Sequence, residues 1–272
     1  MTMATRAWQV VAGALWSTVR VVAAALIPHD SPIRLRAAAY RPVSRWLAGY
    51  PAYRRAMNEA RWSGHVPTVV IVGNAPLGYD YSGLVDAADV VVRLNDCKRY
   101  LGRSGTKTTI LCVNNSGVPA RGYIAQTPLL TNPLCGGVGE FWFPRDMHTH
   151  LRWVRRVRHD RDHEYQDLTD GIVAANRLFT KTLVRGSAAM NDALYTTLQT
   201  IERANGVPDR SFECPSTGAL AMAWALADPR FREHRVVLVG FRFEGWEGHP
   251  WRAERQWVDE HVRSGRVVLH PA

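Results

Sequence analysis

Cysteine is scarce in this 272-residue chain, with only Cys97, Cys112, Cys135 and Cys214 and no CxxC pair among them. That excludes a disulfide-stapled secreted scaffold and points to a reducing compartment. Two glycine signatures are also missing. No GxGxxG follows an apolar run and no GKS closes a phosphate loop, so neither a dinucleotide cradle nor a triphosphate cradle is present. This disfavours a nicotinamide-dependent oxidoreductase. There is no internal repeat and no low-complexity linker, and lysine is so rare that nearly every basic side chain is arginine.

What is present fits one globular domain with a full core and an appendage: 46% of residues are apolar and 21% charged. The net charge of +10 is uneven. Residues 1–64 hold nine arginines against two acidic residues, while the remainder holds 25 basic against 22 acidic. In "RAWQVVAGALWSTVRVVAAALIP" the polar positions Arg6, Gln9, Gly13, Ser17 and Arg20 fall on one stripe of a helix. Such a helix suits the membrane interface better than a lipid-surrounded span. The stretch that follows interleaves seven arginines with Tyr40, Trp46, Tyr50, Tyr53 and Trp62, the pairing expected of a surface that docks on anionic headgroups. Residues 1–64 are therefore expected to form a basic amphipathic helical segment. The expected partner is an anionic membrane surface and not nucleic acid, which places the chain peripherally on the cytoplasmic face of the inner membrane. A signal anchor is the alternative.

Residues 65–272 alternate short apolar runs with helical patterns, which predicts a single α/β domain: a Rossmann-like, mostly parallel sheet flanked by helices. The expected strands are "TVVIVG", "DVVVRLN", "KTTILCVN", "QTPLLTN", "RVVLVGF" and "RVVLH". Several are unbroken β-branched runs, as strands covered on both faces should be. "AAMNDALYTTLQTIERAN" and "STGALAMAWALAD" carry helical periodicity. The segment 144–170, dense in charge and histidine, reads as a mobile helix or loop outside the sheet.

Three blocks carry candidate chemistry. "TVVIVGNAPLG" ends a strand in Gly73-Asn74, and "VVVRLND" ends another in Asn95. Open α/β sheets bind ligands at the carboxyl ends of strands, and two asparagines there can offer amides to a nucleotide. In "CPSTGALAMAWALAD", Ser216 or Thr217 is the natural cap of an apolar helix and Gly218 allows close approach. The N–H groups and dipole of that helix start suit a phosphate. Gly240 then closes "HRVVLVGF", and in "GHPWRAE" His249 is followed by Glu254. A neutral histidine can take a proton, and a nearby carboxylate would orient it and raise its basicity.

In this order the blocks resemble the sialyl motifs of the eukaryotic-type sialyltransferase family, glycosyltransferase family 29-like. The large motif is similar to "VVIVGNAPLGYDYSGLVDAADVVVRLND", the small motif to "PSTGALAMAWALADPRFREHRVVLVGF", and the very small His-x4-Glu motif to His249 and Glu254. A separate bacterial sialyltransferase family is also similar over the GNAP region. The resemblance implies a GT-A-variant fold and an inverting, metal-independent transferase with no cofactor. Its donor would be CMP-sialic acid or CMP-Kdo, and its acceptor a glycan or glycolipid hydroxyl. It implies CMP contacts for Asn74 and Asn95, phosphate and carboxylate contacts for Ser216, Thr217 and Gly218, a nucleotide contact for Gly240, and a general-base role for His249. A catalytically silent nucleotide-binding homologue is the alternative.

The chain departs from the pattern in two places. "FRFEGWE", between Gly240 and Gly248, lacks the family's intermediate histidine, which leaves phosphate stabilisation to Arg242 or to a histidine of the middle segment. The cysteine that animal members carry before the first strand is absent. Two competing constellations are weaker: Asp160-Arg161-Asp162 lies in a charge run and not at a strand end, and His148, His150, His159 and His163 read as a solvated loop more readily than as a metal site. "SGTKT" reads as a turn.

Overall fold

A computed structural model describes residues 66–97, 102–158, 164–208 and 212–272. The expected N-terminal segment, the Asp160-Arg161-Asp162 triplet, His159 and His163 lie outside the described residues. Seven strands form one sheet: β1 (Thr68–Val72), β2 (Val90–Leu94), β3 (Ile110–Cys112), β4 (Glu140–Phe143), β5 (Thr182–Arg185), β6 (Arg235–Val239) and β7 (Val267–Leu269). Every pairing is parallel and the order is β5-β4-β3-β2-β1-β6-β7. The chain lays strands to one side of β1 and then crosses to the other, so β1 and β6 flank a topological switch point. In open sheets of this kind the carboxyl ends of the strands at such a point are where ligands bind.

The helices are α1 (Ser82–Ala87), α2 (Gly117–Gln126), α3 (Pro128–Thr131), α4 (Pro133–Gly136), α5 (Met147–Val157), α6 (Thr169–Ala175), α7 (Ala188–Ala204), α8 (Thr217–Ala227) and α9 (Trp251–Arg263). The valine-rich strands sort their side chains by alternation. Val69, Ile71, Val92, Leu94 and Leu238 meet α7, α8 and α9 on one face. Val70, Val72, Val91 and Val237 meet Val85 of α1 on the other, and Leu111, Phe141 and Phe143 meet α2 and α6. Helix α8 is apolar all round and buried from Thr217 to Ala225. Its alanines let it approach the sheet closely, while full burial of Leu220 or Met222 contributes roughly 1.5–3 kcal/mol each.

The architecture agrees with the α/β expectation, and four local readings change. "QTPLLTN" is not a strand: it turns left-handed at Thr127 (φ 45°) and forms α3, with Pro128 starting that helix and Pro133 starting α4. Proline removes a ladder donor but costs nothing in a first helical turn. Strand β4, "EFWF", escapes a search for β-branched runs because aromatics fill it. Strand β5, "TLVR", is a half-exposed edge with little apolar signal. Part of the middle segment is not an outlying loop, since α5 buries Thr149, His150, Trp153 and Val154. Among the described residues, no helix is long and apolar enough to cross a membrane. The four cysteines are free and buried.

At the switch point Gly73 N donates to Val239 O (2.7 Å) and Ala75 N to Gly240 O (3.1 Å), stitching the two strand ends together. A Cβ on Gly73 would lie 2.2 Å from the Gly240 carbonyl oxygen, which is backbone and cannot rotate away. Gly73→Ala is therefore expected to destabilise the protein by about 1–3 kcal/mol, read as a lower urea midpoint. Unchanged stability would show that the two turns can separate.

Candidate active site

The loops leaving the carboxyl ends of β1, β2, β3, β4 and β6 converge with the start of α8. Asn74 is exposed at the carboxyl end of β1, directly after Gly73. Gly240 takes φ 75°, a conformation that glycine adopts at no steric cost, and so turns the chain out of β6. Asn95 is also left-handed, at φ 59°. Its Oδ1 accepts from Asn114 N (3.0 Å) while its N–H donates to Cys112 O (2.8 Å), latching the end of β2 to the loop after β3. Arg93, two residues earlier, is fully buried, and its guanidinium donates to the carbonyls of Ser104, Gly105 and Lys107. Its task is to hold the connection that leads from β2 to β3.

Three consecutive residues, Cys214, Pro215 and Ser216, each receive one functional side chain. His249 Nδ1 donates to Cys214 O (2.8 Å), Arg145 Nη2 donates to Pro215 O (3.0 Å), and the Glu254 carboxylate accepts from Ser216 N (2.6 Å) and Ser216 Oγ (2.7 Å). The very small motif is clamped from its other side too, because Glu213 N (2.9 Å) and Cys214 N (3.3 Å) both donate to Gly248 O.

The bond to a carbonyl places the His249 proton on Nδ1 and leaves the lone pair on Nε2. The ring makes T-shaped contacts with Trp246 (4.8 Å between centroids) and Trp251 (4.9 Å). Burial, assisted by the positive charge of Arg145, lowers its pKa to about 4, so the imidazole is neutral near pH 7. The expected His249–Glu254 pairing is not what forms. Glu254 starts the turn after His249 and reaches Ser216, so the backbone at Cys214 orients the imidazole in its place.

Ser216 is the cap of α8: its Oγ also accepts from Ala219 N (3.1 Å). With its amide and hydroxyl both engaged, it has nothing left for a phosphate. The amides of Thr217 and Gly218 remain as the open donors of the helix start. Gly218 is small for a packing reason, since a Cβ would lie 2.7 Å from the Phe241 ring.

Glu254 is 2% exposed, and burial raises its pKa to about 7 against the opposing hydrogen bonds from Ser216. The folded state thus holds this proton more tightly than the unfolded chain. Stability from this group is full below the ordinary value of 4.5 and is lost as pH rises towards about 7. Glu254→Gln keeps both contacts without the charge. It is expected to flatten that decline, worth on the order of 3 kcal/mol, in denaturation curves taken across the window. An undiminished slope in the variant would assign the pH dependence elsewhere.

Arg145 is the feature that the sequence reading missed. It follows β4 in "FPRDM" and is 4% exposed. Its backbone N–H donates to Asn115 Oδ1 (3.2 Å) and its Nε to Asn114 Oδ1 (3.0 Å). Its Nη1 is buried without a hydrogen-bond partner, and among the described residues no carboxylate stands within ion-pair distance of the guanidinium. Arg242, the sequence-based candidate, is instead exposed beside Glu244 (3.7 Å). A signal for the Arg145 cradle did exist: "ILCVNN" closes a strand in asparagine, as the blocks around Asn74 and Asn95 do.

His150, the middle-segment candidate, is fully buried. Its Nδ1 pairs with Tyr195 OH (2.7 Å) and its Nε2 has no partner. Burial, then the charge of Arg145, holds its pKa well below the usual range, so it is neutral. Among the described residues, no group of three His, Cys, Asp or Glu side chains is placed to hold a metal.

No family model matches the chain. It is 30% identical over 210 residues to the urease operon 23 kDa accessory protein of Rhizobium meliloti, an alignment covering 77% of this chain and 94% of that protein. Among solved structures it is similar to a mammalian sialyltransferase, with TM-score 0.44 and 17% identity over 75% of this chain and 68% of that one. It is also similar to the sialyltransferase CstII of Campylobacter jejuni, solved with the substrate analogue cytidine-5'-monophosphate. There the TM-score is 0.39 and the identity 14%, over 75% of this chain and 80% of that one.

Proposed function

The chain belongs to the family of the urease operon 23 kDa accessory protein of Rhizobium meliloti, and from that premise and its own site we propose that it is a CMP-sugar-dependent glycosyltransferase. The relative's name records an operon and states no reaction, so the reading stands on the ordered motifs and the residues. One observation carries it: a buried guanidinium without a counter-ion, tied to the residue that precedes the cap of α8. Burying an unpaired charge is costly, and an arrangement that keeps one is suited to an anion that arrives later.

In this reading the donor phosphate rests against Arg145 and the Thr217 and Gly218 amides, while Asn74 and Asn95 flank the nucleotide at the switch point. Cleavage of the anomeric C–O bond releases CMP, whose phosphate gains one negative charge. Arg145 and the helix start meet that charge without a metal. The acceptor hydroxyl attacks from the opposite face, which inverts the centre, and His249 Nε2 takes its proton. An anionic donor also offsets the Arg145 charge that weakens His249, so donor binding strengthens the base.

The donor sugar is sialic acid in this proposal, with Kdo as the related acid, and the acceptor is a glycan or glycolipid hydroxyl. Residues 1–64 would hold the site at an anionic membrane surface on the cytoplasmic face of the inner membrane. The decisive experiment is a donor screen of purified protein with CMP-Neu5Ac and CMP-Kdo, reading CMP release with and without acceptor. Turnover of either supports the proposal, whereas no turnover of both, with CMP failing to bind, would sink it. Deletion of residues 1–30 should move the protein from the membrane fraction to the soluble fraction. Unchanged partitioning removes that helix as the anchor.

A further inference from the structure

Helices α5 and α7 lie side by side, joined at one end by the Asp146 N to Asn191 Oδ1 bond (3.2 Å). Further along they leave an open cavity of about 280 Å3 that shares no residue with the candidate active site. Arg152, Arg156 and Arg203 line it against one carboxylate, Asp192. That carboxylate is already engaged by Arg152 (2.6 Å) and by Trp153 Nε1 (3.1 Å). The Arg156 guanidinium lies over the Trp153 ring at 4.6 Å. Gln199 also lines the cavity. It is 6% exposed, and its Nε2 is buried without a hydrogen-bond partner.

Arginines in the last turns of two helices suit the helix dipoles, and that accounts for Arg156 and Arg203 singly. It does not account for their convergence on one cavity with a buried amide donor that has nothing to bond. The large majority of buried side-chain donors in folded proteins are paired. Guanidinium groups are matched in shape to phosphate oxygens. We infer that the α5–α7 cavity is a binding site for a compact phosphorylated group, held by Arg156 and Arg203 and hydrogen-bonded by the Gln199 amide. It is independent of the donor site.

The test is thermal unfolding of the full chain titrated with inorganic pyrophosphate and with glucose 6-phosphate at fixed ionic strength. The wild type is compared with Arg156→Gln/Arg203→Gln, whose positions are both exposed, so the variant is expected to keep the fold. The double variant is expected to bind either ligand roughly tenfold or more weakly. Gln199→Leu is expected to unfold at the same temperature or higher when unliganded and to lose affinity for the ligand, a combination that a purely structural glutamine would not produce.

Equal response of wild type and double variant places the anion elsewhere and overturns the inference, as does the absence of any response from either protein to both the soluble ligands and phosphatidic acid vesicles. Sedimentation with phosphatidylcholine vesicles containing phosphatidic acid separates the two sources of the phosphate. A difference between the proteins on vesicles alone identifies a lipid headgroup, and a difference in the soluble titration identifies a free small molecule. CMP affinity is expected to be unchanged in the double variant, so failure here leaves the donor reading standing.

Discussion

His249→Ala is expected to lower kcat for transfer by roughly 10²–10⁴-fold, the usual contribution of a positioned base, and to leave CMP affinity nearly unchanged. The imidazole hangs from the Cys214 carbonyl, while the open donors for a phosphate are Arg145 and the start of α8. Removing the ring therefore takes away the proposed proton acceptor without touching the proposed anion site. Because burial holds His249 at about 4, the acid limb of kcat/KM should lie near that value and not near the ordinary 6.5. The base is lost as pH falls through that limb. In kcat, with donor bound against Arg145, the limb should lie higher. A variant that retains full turnover would assign the proton to another group. Parallel loss of CMP binding would show that the ring holds the nucleotide.

Arg145→Gln is expected to weaken CMP by about 2–5 kcal/mol, the range for truncating one member of a buried charge pair, and to leave cytidine, which has no phosphate, bound as before. Arg145→Lys should fall between, since an ammonium keeps the charge and loses the fork that reaches Pro215 and Asn114 together. Titration calorimetry with both ligands decides. Equal losses for CMP and cytidine would mean that Arg145 only shapes the site, and the proposed leaving-group stabilisation would then fail.

The parts of this molecule that were legible in the sequence are those where one physical cause dominates. β1, β2 and β6 are valine-rich without polar alternation because both of their faces are covered. α8 shows its uniform apolarity for the same reason, and α7 shows its period because only one of its faces is covered. The candidate site residues were legible through strand ends and a helix cap, and the fold brings Asn95, Ser216, Gly240, His249 and Glu254 to one edge of the sheet. Their pairings were not legible. Whether Glu254 meets His249 or Ser216 depends on the angle at which α9 leaves Pro250, which no local pattern encodes. Arg145 was hidden because β4 was hidden: aromatics in place of β-branched residues concealed the strand, and with it the strand end that delivers the guanidinium.

The meeting of three side chains at Cys214, Pro215 and Ser216 has a consequence for how this site tolerates change. The contacts at Cys214 and Pro215 are made to carbonyl oxygens, which every amino acid carries. Replacing those two residues by others that keep the backbone path should preserve the attachment of His249 and Arg145. Inserting or deleting one residue there would displace base, cation and helix cap together. The attachments at Cys214 and Pro215 are thus indifferent to spelling and strict about length, so a single-residue insertion would reveal them where volume-conserving replacements of those two residues would not.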